Sequence, residues 1–315
     1  VKVYTTITNT GIGTLQYSFP DFVAAENRSA VTVDLPAGPE TAAEGTAVAG
    51  GPFKARPSST YTLTPGNGNR EGANVLMAYA DLDGNHIRTL LMAYGDLGVI
   101  DVMDVRSTTP SLETLLNYDV VMTWSNYTYQ NATGMGNVLA DYVDEGGRVI
   151  NLMWAIDPSW GLSGRWVTEN YSAMKSTGYS YGTTCLGSYD AGHPIMEGVT
   201  NVCDYYPPTG TSLTPGSAAI ANWATGSLFV AAKDDKTCVS ISGYVGQGYQ
   251  WTGQMADVVH NAINWVSGGG YFIITVEPAT AQVAAGESQV VEITYDATDF
   301  EPGDYTQELE GVSND

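Results

Sequence analysis

The sequence predicts an α/β doubly wound parallel sheet inserted into an all-β sandwich whose halves come from the two ends of the chain. Period-two alternation marks both ends, and strand–helix–strand alternation fills the middle. The length of 315 residues also exceeds that of an ordinary single domain. The domains read as 1–35 plus 271–315 for the discontinuous sandwich, 36–71 for a linker or extended crossing, and 72–267 for the α/β insert.

At the amino end, Val1, Val3, Thr5 and Ile7 alternate up to a turn at Asn9-Thr10-Gly11, after which Leu15, Tyr17 and Phe19 alternate again. At the carboxyl end Phe272, Ile274 and Val276 form one strand, ended by Pro278. Val290, Val291, Ile293 and Tyr295 form another. Tyr305 to Val312 forms a third, after the turn Glu301-Pro302-Gly303-Asp304. Neither end alone supplies enough strands to bury a face. Residues 36–72 are rich in Pro, Gly, Ala, Ser and Thr, as an extended crossing would be.

From Asn74 the period changes. Val75 to Tyr79 reads as a buried strand, and Ile87, Leu90, Leu91 and Tyr94 recur at helical spacing. Val99–Val105 is the next strand, and Ser111 caps a short helix. Tyr118 to Trp124, with Val120-Val-Met at its centre, reads as an apolar strand of the kind covered on both faces. A helix over 134–145 stops at Gly146-Gly147, followed by a strand over 148–154. Strands near 228–232 and 238–242 and a helix over 252–266 complete the pattern, which argues a parallel, helix-covered sheet.

Composition narrows function. There are 34 acidic against 12 basic residues, a net charge of −22, so a phosphate backbone would meet a repelling field. Nucleic acid is excluded as a partner on that ground, and no apolar run approaches the roughly 20 residues of a membrane span. With 36 Gly and 20 Tyr, and a surface rich in Thr, Ser and Asn, the chain suits an extracellular or cell-surface setting. A salt-rich habitat accounts for the acidity equally well. The chain begins at Val1 with neither an initiator Met nor a signal peptide, which reads as a processed or excised segment. Sequons at Asn27, Asn126, Asn131 and Asn170 fit an extracellular chain. The three cysteines leave two readings open: a disulfide between Cys185 and Cys203 with Cys238 as a buried thiol, or three reduced core thiols.

The stretches Ile7-Thr-Asn-Thr-Gly and Leu15-Gln-Tyr-Ser-Phe resemble the opening of bacterial extracellular immunoglobulin-like repeats. Val276-Glu-Pro, Val283-Ala-Ala-Gly-Glu-Ser, Val291-Glu-Ile-Thr-Tyr-Asp-Ala, Pro302-Gly-Asp-Tyr and Val312-Ser-Asn-Asp resemble their second part. The resemblance implies an insertion between the two parts. It also implies edge strands before Val1 and after Ser313-Asn-Asp, and hence open edges that another copy could complete.

In the insert, three stretches resemble the class I glutamine amidotransferase-like fold in its ThuA-like variety. They are Thr109-Pro-Ser-Leu-Glu-Thr-Leu-Leu-Asn-Tyr-Asp-Val-Val, Tyr142-Val-Asp-Glu-Gly-Gly-Arg-Val and His193-Pro-Ile-Met-Glu-Gly-Val, with a last helix ending Asn261-Ala-Ile-Asn-Trp-Val. That resemblance implies a flavodoxin-like sheet and, in an active member, a cysteine on the turn after the central strand. Here residues 148–154 run into Ala155-Ile-Asp-Pro with no cysteine and no nucleophile elbow, so no catalytic residue is assigned.

Candidate ligand residues remain. Asp81-Leu-Asp83-Gly-Asn85 places oxygen side chains at alternate positions, which could hold calcium, the one cofactor considered. It departs from an EF-hand: glycine stands at the fourth position and Met92 at the twelfth. The alternative is a turn and helix cap. His193 with Glu197 four positions on forms a second candidate pair, against the reading that the histidine satisfies a local backbone group. Trp154, Trp160 and Trp166 form an aromatic segment suited to sugar or protein contact, or to packing of an irregular loop. The functional expectation is a non-enzymatic structural or adhesive module of a surface protein or self-assembling fibre, with further copies or neighbouring domains as partners. A carbohydrate-binding or carbohydrate-active accessory domain is the alternative, with glycans as partners.

Overall fold

A computed structural model describes residues 2–18, 31–35, 59–63, 72–246, 250–267, 273–296 and 312–314. Two compact units divide the chain. One holds Val1–Ser29, Asn67–Asn69 and Gly268–Asp315; the other holds Ala30–Gly66 and Arg70–Ser267.

The larger unit is built on a ten-stranded sheet. Its strands are β1 (Val75–Tyr79), β2 (Ile100–Asp104), β3 (Val120–Thr123), β4 (Arg148–Leu152), β5 (Thr184–Tyr189), β6 (Val202–Asp204), β7 (Ser217–Trp223), β8 (Leu228–Lys233), β9 (Cys238–Ile241) and β10 (Trp251–Gly253). Five of them, in the order β2-β1-β3-β4-β9, are mutually parallel. With β9 counted as the fifth parallel strand, this is the 2-1-3-4-5 order of a flavodoxin-like sheet. The expectation of a purely parallel sheet is corrected beyond β9, where β8, β7, β5, β6 and β10 continue it antiparallel. Strands 228–233 and 238–241 are joined by the tight turn Asp234-Asp-Lys-Thr. A hairpin forces antiparallel pairing, because a parallel pair needs a long crossover.

Helices cover both faces of the parallel part. Val75 and Met77 of β1, Val120 and Met122 of β3, and Ile150 of β4 share a cluster with α1 (Asn85–Ala93) and α5 (Met255–Val266). The alternate residues Leu76, Ala78, Val121 and Val149 pack with α2 (Leu112–Leu115), α3 (Ala132–Asp144) and α4 (Arg165–Thr168). Successive strand residues point to opposite faces, so two-sided cover leaves β3 buried throughout. Helix ends follow local chemistry. The Ser111 side chain accepts Thr114 N–H, and the Asn131 side chain accepts Gly134 N–H at 2.8 Å. Gly146, at φ +94°, ends α3 in a backbone region that favours glycine.

Val31–Leu35 pairs antiparallel with Ser59–Leu63, and both strands belong to the larger unit. This differs from the expectation that residues to 35 join the sandwich and that 36–71 only cross over. The Thr-rich strand Ser59–Leu63 is short enough to be hidden by the Pro and Gly around it; the rest of that stretch lies outside the described residues.

In the smaller unit the two chain ends pair. Lys2–Thr8 lies antiparallel to Ser288–Asp296, which pairs with Ile273–Glu277 on its other side. Leu15–Ser18 lies between Thr280–Val283 and Val312–Ser313. Leu15, Tyr17 and Val283 of one sheet share a core with Val276, Val291 and Ile293 of the other. Buried Asn9 ties the first turn down: its Nδ2 donates to Gly13 O at 2.7 Å and to Val283 O at 2.8 Å. The expected strand over 305–312 lies outside the described residues except at its last position.

Among the described residues, no helix is long and apolar enough to cross a membrane.

Candidate functional site

In an open α/β sheet the ligand end is the carboxyl edge, at the point where strand order reverses. Here that point lies between β1 and β3, flanked by β2, β4 and β9. Each strand delivers residues to this edge: Asp81 after β1, Arg106 after β2, Asn126 and Tyr127 after β3, Trp154 after β4, and Tyr244 and Gly246 after β9.

Asp81 is at the centre of a buried polar knot. Its Oδ2 accepts from Tyr244 OH at 2.7 Å and Trp124 Nε1 at 3.0 Å. Its Oδ1 accepts from Leu82 N at 2.7 Å and Asn126 Nδ2 at 3.4 Å. Burial pushes the carboxyl above its ordinary range, opposed by these hydrogen bonds, the one from Tyr244 first among them. Trp124 is held by stacking on Tyr79, with centroids 4.4 Å apart. Gly246 passes so close that a Cβ there would sit 2.0 Å from Asp81 Oδ2.

The other half of the expected calcium loop faces elsewhere. Asp83 Oδ1 accepts Asn85 N at 2.8 Å, a local turn that opens α1, and Asn85 is exposed. Among the described residues no three His, Cys, Asp or Glu side chains form a metal-binding group. His193 and Glu197 do not join this knot. His193 Nδ1 accepts Ile195 N at 3.2 Å, capping the 3-10 turn Pro194–Met196, and its ring lies 5.2 Å from Trp265 of α5. Glu197 is exposed, and its carbonyl accepts Asn261 Nδ2.

The turn after β4 is filled by an aromatic ring. Trp154 stands there with φ +59°, a left-handed conformation that is costly for a bulky side chain. Its ring is fully buried against Tyr179, Tyr206 and Tyr244, at centroid distances of 5.4, 5.0 and 4.6 Å. Its indole N–H has no partner among the described residues. No cysteine stands in the turn, which reads Met153-Trp-Ala-Ile-Asp-Pro. Cys238, the remaining free thiol, is buried on β9 and points at Asn151 Oδ1, and burial pushes it up to about 12. Cys185 and Cys203, directly opposed on β5 and β6, are disulfide-bonded. His260 pairs with Asp96 at 2.7 Å and stacks on Tyr94, clamping α5 to the segment after α1.

As a presented aromatic surface the tryptophan segment is corrected. Trp154 and Trp166 are core residues, Trp166 packing on Tyr171 at 5.7 Å, and only Trp160 is part-exposed. A long irregular loop after a central strand has little regular secondary structure to fix it, so its largest rings turn inward and supply its core. Exposed aromatics of the larger unit's described residues include Tyr181 and Tyr205, at 60% and 40% exposure, and Tyr189 on β5. Neither Tyr181 nor Tyr205 was singled out from the sequence. The available signal was that Ser176–Thr184 and Tyr205–Thr214 are tyrosine-rich and carry no charge.

Strand order and two-sided helix cover define the larger unit as a doubly wound α/β domain of flavodoxin-like order. No family model matches the sequence, and no curated protein matches it. Among solved structures, it is similar to a ThuA-like protein from Bacteroides uniformis at 14% identity and a TM-score of 0.48, covering 64% of this chain and 95% of that one. It is also similar to a GMP synthase component from Thermoplasma acidophilum (12%, 0.41, 63% and 96%). A third is a glutamine amidotransferase from Thermotoga maritima (9%, 0.40, 56% and 77%).

Proposed function

We propose that the chain is a non-enzymatic extracellular structural or adhesive module. In this reading an immunoglobulin-like sandwich, assembled from the two chain ends, carries a class I amidotransferase-like domain whose catalytic turn serves packing. The observation that carries it is Trp154, which fills the strained turn after β4 with a buried ring where thiol chemistry would need a cysteine. The disulfide suits an oxidising compartment. Assembly by strand addition draws support from the smaller unit: among the described residues, Lys2–Thr8 and Ile273–Glu277 each pair on one side only.

Glutamine hydrolysis and thiol alkylation test the chemistry, and electron microscopy tests the assembly. The native protein releases no ammonia from glutamine, iodoacetamide labels Cys238 only after unfolding, and purified protein forms ordered fibres. Sustained hydrolysis by pure protein overturns the non-enzymatic reading, and isolated monomers at every concentration overturn self-assembly.

The second reading, a carbohydrate-binding accessory domain, is favoured by one observation, the exposed tyrosines.

A further inference from the structure

Residues 177–182 run antiparallel to 205–209. Thr177 N donates to Thr209 O at 2.9 Å, Ser180 N to Pro207 O at 2.9 Å and Gly182 N to Tyr205 O at 3.1 Å. Alternation along such a ladder places Tyr179 and Tyr181 on one face. Tyr205 and Tyr206 meet them from the opposite segment. Ring centroids lie 5.7 Å apart for Tyr179–Tyr181, 5.8 Å for Tyr181–Tyr206, 6.4 Å for Tyr181–Tyr205 and 5.1 Å for Tyr205–Tyr206, all tilted edge-to-face.

This mosaic is held from below and from the side. Tyr179 and Tyr206 rest on buried Trp154. Asp204 accepts Tyr206 N at 2.8 Å and Tyr244 N at 2.9 Å, fixing the backbone beneath the rings. The Cys185–Cys203 disulfide staples the strands from which the two segments continue. Exposed Tyr181 and Tyr205 are therefore presented on a fixed frame, and rigid aromatic anchors lose little entropy on binding.

We infer that Tyr181 and Tyr205, with Tyr179 and the Thr177 side chain on the same face at the rim, form a binding site for a neutral polysaccharide. The chemistry selects that ligand class. Ser176–Thr184 and Tyr205–Thr214 contain no Asp, Glu, Lys or Arg, in a chain with 34 acidic residues. These two segments supply no cation of their own to pair with a polyanionic glycan, and the net charge of −22 repels one. A sugar ring presents apolar C–H faces to aromatic rings and hydroxyls to a polar rim, which this surface supplies in the same order. The inference deepens the carbohydrate reading and is independent of the missing nucleophile.

Affinity electrophoresis of the full chain through gels containing a soluble β-glucan, xylan or galactomannan tests it, with polygalacturonate as the anionic comparison. Retardation by at least one neutral polymer is expected, falling at least tenfold in apparent affinity for the Tyr181→Ala/Tyr205→Ala double variant. Tyr181→Phe, which keeps the ring, retains binding. Both tyrosines are exposed, and an unchanged near-ultraviolet circular dichroism spectrum outside the tyrosine region checks the fold. Undiminished retardation of the double variant overturns this site while leaving the carbohydrate reading standing. No retardation by any of the polymers overturns both, and retardation by polygalacturonate alone overturns the neutral assignment.

Discussion

Two buried aspartates, Asp204 and Asp81, hold their protons more tightly than a surface carboxylate does. Asp204 is enclosed on β6, and burial pushes it to about 7 despite hydrogen bonds from the backbone N–H groups of Tyr206 and Tyr244. Its folded-state value lies above its unfolded one, so between about pH 4 and 7 the unfolded chain releases this proton first. Stability from this group is full at the acid end of that window and is lost as pH rises through it, by up to ~4 kcal/mol. Asp81 is shifted the same way. Asp96 acts oppositely: burial raises it, but the His260 hydrogen bond and charge outweigh that, so its contribution is lost as pH falls through the acid range. Asp204→Asn, neutral throughout, is expected to flatten the decline in melting temperature between pH 5 and pH 8. A decline as steep as that of the unsubstituted protein would show that Asp204 is not its source.

At the scale of elements, what could be read from sequence follows what each signal measures. The strand over 118–124 and the helix near 134–145 were legible because burial on two faces or on one face writes a period into the sequence. The antiparallel half of the sheet was less legible, because β6 and β10 are only three residues each and the pairing of β5 with β7 is irregular. Asp81 was legible as a polar residue at a strand end, but its partners Trp124, Asn126 and Tyr244 come from distant elements. Gly136 illustrates a packing constraint hidden in composition. It lies within α3, where glycine weakens a helix, yet a Cβ there would meet Ser163 O at 1.8 Å. Gly136→Ala is therefore expected to destabilise by ~1–3 kcal/mol despite better helix propensity, lowering the urea midpoint; a raised midpoint would contradict the close approach. The disulfide closes 18 residues, and the double change Cys185→Ser/Cys203→Ser should cost about 3 kcal/mol in urea unfolding. A cost near zero would mean that the paired strands hold without the staple.

Over the whole molecule, the sequence revealed that both ends are β-rich and that the middle is α/β, because periodicity changes near residue 74 and again past 266. Positions 31–35 were assigned with the sandwich because alternation alone does not name a strand's partner, and Ser59–Leu63 lies among Pro and Gly. The tyrosine surface proposed to bind sugar was legible only as an abundance of tyrosine. Which rings face outward is set by the antiparallel run of 177–182 against 205–209, a pairing with no local signature.

The pairing of the two chain ends has a mechanical consequence. Residues 2–8 pair with 288–296, and 17–18 pair with 312–313, so both ends of the described chain are anchored in the same small unit. Tension applied at the two ends is carried first across these strand pairs, loading their hydrogen bonds side by side. The described strands and helices of the larger unit, with the buried knot and tyrosine surface, lie in sequence between these anchors, so tension at the ends loads the anchoring strand pairs before it reaches them.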